Sequence, residues 1–83
     1  MKLKDFVNKF VCENTIIRLW CPVYGAYRMI SISDNDPSLC MGSELLNGEA
    51  WQSKYNNCEV VGVRTMDTLY YNKGVVNIII KLD

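Results

Sequence analysis

The apolar residues at the start of the chain follow a helical period. Within residues 2–12 they recur at spacings of three and four, which places them on one stripe of a helix: Leu3, Phe6, Val7, Phe10 and Val11. Lysines and other polar residues occupy the opposite face. Such a pattern is typical of a helix that covers one face of a sheet, so we predict a helix here.

The next segments alternate with a period of two, which predicts strands. Residues 15–21 are rich in β-branched and aromatic side chains, with Arg18 and Trp20 on one face and Ile17, Leu19 and Cys21 on the other. Residues 26–32 form a second strand, in which Tyr27 and Arg28 fall on opposite faces. The turn-like residues 22–25 between the two strands predict a hairpin.

Two more strands are predicted in the second half of the chain. In residues 58–66 the alternation puts one set on one face (Val61, Val63, Thr65) and a second set on the other (Val60, Gly62, Arg64). Residues 75–82 are a nearly continuous apolar run, which predicts a central strand buried on both faces. We predict a loop over residues 67–74 between these strands.

The middle of the chain leaves its structure open. Residues 39–41 have the composition of a short strand, and residues 43–47 that of a helical turn with Ser43 as its N-cap and Gly48 just past its end. The whole pattern predicts one α+β domain over residues 1–83, an N-terminal helix followed by a four- or five-stranded, mainly antiparallel sheet. The alternative is a small bent barrel of the Sm-like kind, which requires residues 39–46 to be a strand and implies oligomeric rings.

The amino-acid composition excludes several kinds of catalytic and metal site. The chain of 83 residues has no His, which excludes imidazole metal sites and Ser-His or Cys-His nucleophile pairs. No glycine-rich phosphate loop is present, and no carboxylate pair has a diagnostic spacing. We therefore expect a protein that is not an enzyme and has no cofactor. The zero net charge argues against general nucleic-acid binding.

The spacing of the four cysteines helps to predict the cellular compartment of the protein. Cys12, Cys21, Cys40 and Cys58 are far apart, and the chain shows neither a secretory signal nor an apolar segment long enough to span a bilayer. We expect a cytoplasmic protein with free thiols, most of them in the core, rather than a disulfide or zinc framework.

One polar segment, residues 33–38, resembles the start of a calcium-binding loop. Its Asp34-Asn35-Asp36 run opens like an EF-hand loop, but Leu39 and Leu45 stand where that loop needs Gly and Glu. The segment is therefore interpreted as a turn, and no metal site is expected.

Arginines and aromatic residues are the best candidates for binding. We predict that three arginines hold phosphate and three aromatic residues stack on a ligand: Arg18, Arg28 and Arg64, with Trp20, Tyr27 and Trp51. Guanidinium groups bind phosphate with two hydrogen bonds, and aromatic rings stack on bases. The same residue types form the centres of protein–protein interfaces, so both uses stay open.

Several segments carry a resemblance that covers most of the chain. TIIRLW at 15–20, ELLNG at 44–48, Trp51–Tyr55, EVVGV at 59–63 and VNII at 76–79 resemble short proteins of phages and prophages of gut Firmicutes. The resemblance transfers no functional residue. It implies a context, since small phage proteins often neutralise bacterial defence by blocking a defence protein or by sequestering a nucleotide immune signal.

The resulting expectation is a phage or prophage anti-defence binding protein in the host cytoplasm, without a membrane partner. It would sequester a nucleotide-like anion in a pocket formed by a homo-oligomer, where two chains together supply the arginines and rings. The alternatives are an inhibitor that binds a host defence protein such as a CRISPR nuclease, or a structural or regulatory phage protein.

Overall fold

The chain folds as an α+β domain, as predicted. The computed structural model describes residues 1–31, 38–70 and 73–82, with the side chains of residues 65–70 and 73–74 excepted. Its elements in chain order are α1 (Leu3–Phe10), β1 (Ile16–Val23), β2 (Ala26–Met29), β3 (Leu39–Met41), α2 (Gly42–Asn47), a 3₁₀ helix (Trp51–Tyr55), β4 (Glu59–Tyr70) and β5 (Lys73–Lys81).

The strands form one open, mixed sheet in the order β2-β1-β5-β4. The short β3 lies beside the first residues of β1, on the same side as β2. β1 and β5 run parallel, whereas the other three pairings are antiparallel. β5 pairs on both sides, which confirms the central position predicted from its apolar run.

The helices cover one face of this sheet. Leu3 and Val7 of α1 and Leu45 of α2 are completely buried against a set of strand residues, namely Ile17, Leu19, Cys21, Ile78 and Ile80. We call this side the helix face. The helical stripe predicted for residues 2–12 therefore supplies part of the core, because its apolar side packs on the sheet.

The loop predicted over residues 67–74 is wrong. β4 continues to Tyr70 and β5 begins at Lys73, with Leu69 opposite Gly74 and Tyr70 opposite Lys73. Lys73 and Gly74, which suggested a loop, are held in a ladder by pairing with β4, an interaction that local composition does not reveal. Residues 71 and 72 lie outside the described residues.

The alternation predicted for β4 is also wrong at one point. The pairing register shifts between Val60 and Gly62, where an extra residue, Val61, forms a bulge. Val60 and Val63 therefore share the helix face, opposite Ile80 and Ile78. Gly62 and Arg64 keep the other face, as predicted.

The Sm-like alternative is wrong because residues 42–47 are helical and the sheet is open. The Met41 amide begins α2 by donating to the Glu44 side chain at 3.4 Å, so Ser43 lies inside the helix rather than capping it. The predicted glycine stop is confirmed, since Gly48 follows the helix with a φ of 76°.

The second strand of the predicted hairpin is shorter than expected, and the polar segment after it is largely outside the described residues. The second strand, predicted over residues 26–32, ends at Met29, and the polar segment 33–38 is described only at Ser38. None of the helices in the described ranges has the length and apolar character that crossing a membrane requires.

Candidate functional site

The face of the sheet away from the helices carries most of the predicted binding residues. We call it the arginine face. Residues opposite one another in the ladders point to the same side, which assigns to this face Ile16, Arg18 and Trp20 of β1, Tyr27 and Met29 of β2, Gly62 and Arg64 of β4, and Val75, Asn77 and Ile79 of β5.

A row of three polar residues crosses the middle of the arginine face. Arg18 is opposite Asn77, and Asn77 is opposite Arg64, on three adjacent strands. Neighbouring strands are about 4.8 Å apart, so the two arginine backbones are separated by roughly 10 Å with the asparagine between them. The side chains of both arginines therefore start within reach of the same point near Asn77.

Asn77 has a fixed orientation in this row. Its Oδ1 accepts a hydrogen bond of 2.7 Å from the Trp20 indole N–H, and the residue is 4% exposed. Because an indole nitrogen only donates, the Asn77 oxygen must face Trp20 and the amide nitrogen must face away. The tryptophan thereby places one more donor between the two arginines.

Arg18 contributes a donor without an acceptor. Its Nε is buried and makes no hydrogen bond within the part of the chain that the structure describes. A buried unpaired donor costs about 1–3 kcal/mol for as long as no acceptor reaches it.

The row is also without a counter-charge among the described residues. The ion pair found among the described residues joins the Met1 amine to Glu59 at 2.6 Å, and it involves neither Arg18 nor Arg64. The centre of the arginine face is therefore rich in donors and cations, which is the chemistry that recognises anions.

Arg64 reaches across the sheet to an aromatic ring. Its guanidinium carbon lies 4.7 Å from the centre of the Tyr27 ring. Three strand spacings of about 4.8 Å and four residue rises of about 3.3 Å would put these two backbones roughly 19 Å apart in a flat sheet. Their side chains cannot span that distance, so the sheet coils with its arginine face on the concave side.

Four of the six predicted ligand residues thus share one concave face: Arg18, Trp20, Tyr27 and Arg64. The other two lie elsewhere within the chain. Arg28 is opposite Cys21, whose side chain belongs to the helix face, and Trp51 packs from the 3₁₀ helix against the core. Trp51 instead contacts the Tyr55 ring edge-on at 5.8 Å, with Lys54 above both rings.

The thiols are arranged for packing. Cys21 and Cys40 are buried in the core and Cys58 packs against it, as predicted for most of the four, while Cys12 is exposed. Burial, and to a smaller extent the charge of Glu44, raises the pKa of the Cys40 thiol to about 12. Within the described ranges no three Cys, Asp or Glu residues converge as metal ligands would.

Sequence reasoning missed Asn77. Its signal was present, since it is the one polar residue within positions 75–80, and a polar residue in a central strand needs a hydrogen-bond partner. The partner could not be identified, because Trp20 is 57 residues away in the chain. The parallel pairing of β1 with β5 brings the two together.

Comparison of the chain with protein-family models, with curated proteins and with solved structures gave no match.

Proposed function

We propose that this protein is a non-enzymatic binding protein that holds a nucleotide-like anion on its arginine face. The observation that carries the proposal is the row of Arg18, Asn77 and Arg64, which presents donors and two positive charges with no carboxylate partner among the described residues. Phosphate accepts several charge-assisted hydrogen bonds at once, which suits two guanidinium groups and an amide.

The aromatic residues favour a ligand that also contains a ring. Trp20 lies beside the row and Tyr27 beside Trp20, on the diagonal of the β1–β2 ladder. Tyr27 is 47% exposed, so its ring is accessible from solvent. Nucleotides combine phosphate with a base that stacks on such rings.

The resemblance to short phage and prophage proteins extends the proposal to a role. A protein that binds a nucleotide tightly without converting it lowers the free concentration of that nucleotide. We propose that the ligand is a nucleotide signal of bacterial defence and that the protein acts in the host cytoplasm. The proposal includes self-association, in which a second chain adds further residues around the ligand.

Calorimetric titration tests the binding step. Purified protein is titrated with AMP, ADP and cyclic di-adenosine monophosphate, and with adenosine as the uncharged control. We expect binding of at least one of the three phosphorylated compounds and none of adenosine. The bound nucleotide should be recovered chemically unchanged, since the described residues of the row and the two aromatic residues beside it include neither a carboxylate nor a thiol.

Matched arginine variants locate the ligand. Arg18→Gln and Arg64→Gln should each weaken binding by about tenfold or more, because each removes charge-assisted hydrogen bonds to phosphate. Arg28→Gln removes the same charge from the opposite side of the sheet and should have a much smaller effect. Equal losses in all three variants would contradict a site on the arginine face.

A second candidate function is inhibition of a host defence protein by direct contact. Two exposed features favour it: the Tyr24 side chain at the tip of the β1–β2 hairpin, and Val61 and Val63 on the edge strand β4. Exposed aromatic residues and free strand edges are common contact surfaces in complexes. Mass spectrometry of what co-purifies from defence-active cells distinguishes the two functions, since a retained nucleotide supports sequestration and a retained host protein supports inhibition.

A further inference from the structure

The contact between Arg64 and Tyr27 occupies two groups that a nucleotide would need. The guanidinium of Arg64 covers one side of the Tyr27 ring at 4.7 Å and so occupies a surface on which a base would stack. Both residues are exposed, so water and ligands reach the pair.

We infer that ligand binding exchanges the Arg64–Tyr27 contact for two contacts with the ligand. The phosphate binds the Arg64 guanidinium, and the aromatic ring of the same ligand stacks on the Tyr27 ring. The inference rests on the proposed function and narrows its ligand class to molecules that carry both groups, as a nucleotide does. A bare anion that draws Arg64 away from Tyr27 leaves the ring without a partner. A nucleotide replaces both halves of the broken contact.

The relative strength of the contacts sets the direction of the exchange. A cation–π contact at an exposed site is weaker than a bidentate guanidinium–phosphate interaction, so Arg64 binds phosphate in preference to the Tyr27 ring. Stacking of a base on the vacated ring then adds to the affinity. Tyr27 therefore acts as a selectivity residue, which opposes bare phosphates and favours nucleotides.

Pyrophosphate and ADP form a matched pair of probes, because both carry a diphosphate and ADP alone carries a ring. Tyr27→Leu should bind pyrophosphate about two- to fivefold more tightly than the wild type, because the competitor for Arg64 is gone. The same variant should bind ADP at least about fivefold more weakly, because the stacking surface is gone. Opposite changes for the two probes are the signature of the exchange.

Two control variants accompany this measurement. Tyr27→Phe keeps the ring and should behave as the wild type with both probes. Tyr24→Leu removes another exposed tyrosine, at the hairpin tip, and should also leave both affinities unchanged. Circular dichroism establishes that each variant is folded, which we expect since β2 is exposed along its whole length.

The side-chain NMR signal of Arg64 provides a readout in the unmodified protein. The chemical shift of the Nε proton of an arginine held over a ring is altered by the ring current. This contribution should be present in the wild type, absent from Tyr27→Leu, and lost from the wild type when ADP is added. A wild type that binds neither probe overturns the exchange, and the proposed function falls as well if AMP and cyclic di-adenosine monophosphate also fail to bind. A wild type that binds ADP, with Tyr27→Leu changing both affinities in the same direction or neither, overturns the exchange and leaves the proposed function standing.

Discussion

At the scale of single residues, the hydrogen bond between Trp20 and Asn77 links strand packing to the candidate site. Asn77 is one of two polar residues buried in the described core, and its oxygen accepts from the indole N–H at 2.7 Å. Asn77→Leu would leave that donor unpaired and should lower the free energy of unfolding by about 1–3 kcal/mol, measured by urea denaturation.

The double-mutant cycle separates the hydrogen bond from general packing. In a Trp20→Phe background no indole donor remains, so Asn77→Leu should cost clearly less there than in the wild type. Trp51 still reports unfolding by fluorescence in that background. Equal costs in the two backgrounds would mean that the bond does not contribute to stability.

Cys40 makes stability depend on pH in the alkaline range. Its pKa is raised from 9.0 to about 12 in the folded protein, mainly by burial. The unfolded chain therefore releases this proton above pH 9 while the folded chain keeps it. This contribution is fully present below pH 9 and is lost as the pH rises towards 12, with a slope of at most about 1.4 kcal/mol per pH unit.

Comparison with Cys40→Ala isolates this effect, because the other titrating groups are common to both proteins. The stability advantage of the wild type over the variant should be constant between pH 7 and pH 8.5, and should shrink above pH 9 in urea-denaturation series. An advantage that stays constant up to pH 10.5 would contradict the raised pKa.

At the scale of elements, the β1–β2 hairpin has a turn that its sequence does not favour. Tyr24 and Gly25 both have positive φ angles, 47° and 82°, as the two central residues of a type I′ turn do. Glycine adopts this conformation without strain, whereas tyrosine does so at a cost, and Asn-Gly is the preferred pair. Tyr24→Asn should therefore stabilise the protein by about 0.5–1 kcal/mol in thermal or urea unfolding.

Gly25→Ala gives the opposite test at the neighbouring position. A Cβ there would meet no atom within 4 Å, so its effect comes from the backbone conformation alone. We expect it to destabilise the protein by about 1 kcal/mol or more. Tyr24→Phe, which keeps the same backbone cost, should be neutral, and a stabilisation as large as that of Tyr24→Asn would contradict this account of the turn.

The strands also illustrate where periodicity succeeds and fails. In β1 the alternation correctly separated the core residues from Arg18 and Trp20, because the strand runs without irregularity. In β4 it failed at Val60, because the bulge at Val61 inserts one residue and reverses the faces before it. The bulge depends on how β4 matches β5, and the local sequence does not show it.

At the scale of the whole molecule, self-association is the prediction that a small domain invites. A chain of 9.5 kDa buries a modest core, and Val61 and Val63 stand 53% and 43% exposed on the edge strand β4. Light scattering coupled to size-exclusion chromatography should give a mass at least twice the 9.5 kDa of one chain. Val61→Lys with Val63→Lys should reduce that mass if the β4 edge forms the contact, since lysines protect strand edges. A monomer at the highest soluble concentration would contradict the prediction.

The sequence by itself determined the N-terminal helix, the identity of most strands and the central position of β5, because these follow from the period and length of local apolar patterns. It also placed Arg18 and Trp20 on the opposite face of the strand from Ile17, Leu19 and Cys21. The tertiary structure alone decided which residues meet. The parallel pairing of β1 with β5 places Arg18 beside Asn77 and Trp20 within hydrogen-bonding distance of it, and the coil of the sheet brings Arg64 over Tyr27. It also separated Arg28 and Trp51 from this face, since contacts between distant segments depend on strand order and sheet curvature, which no local pattern specifies.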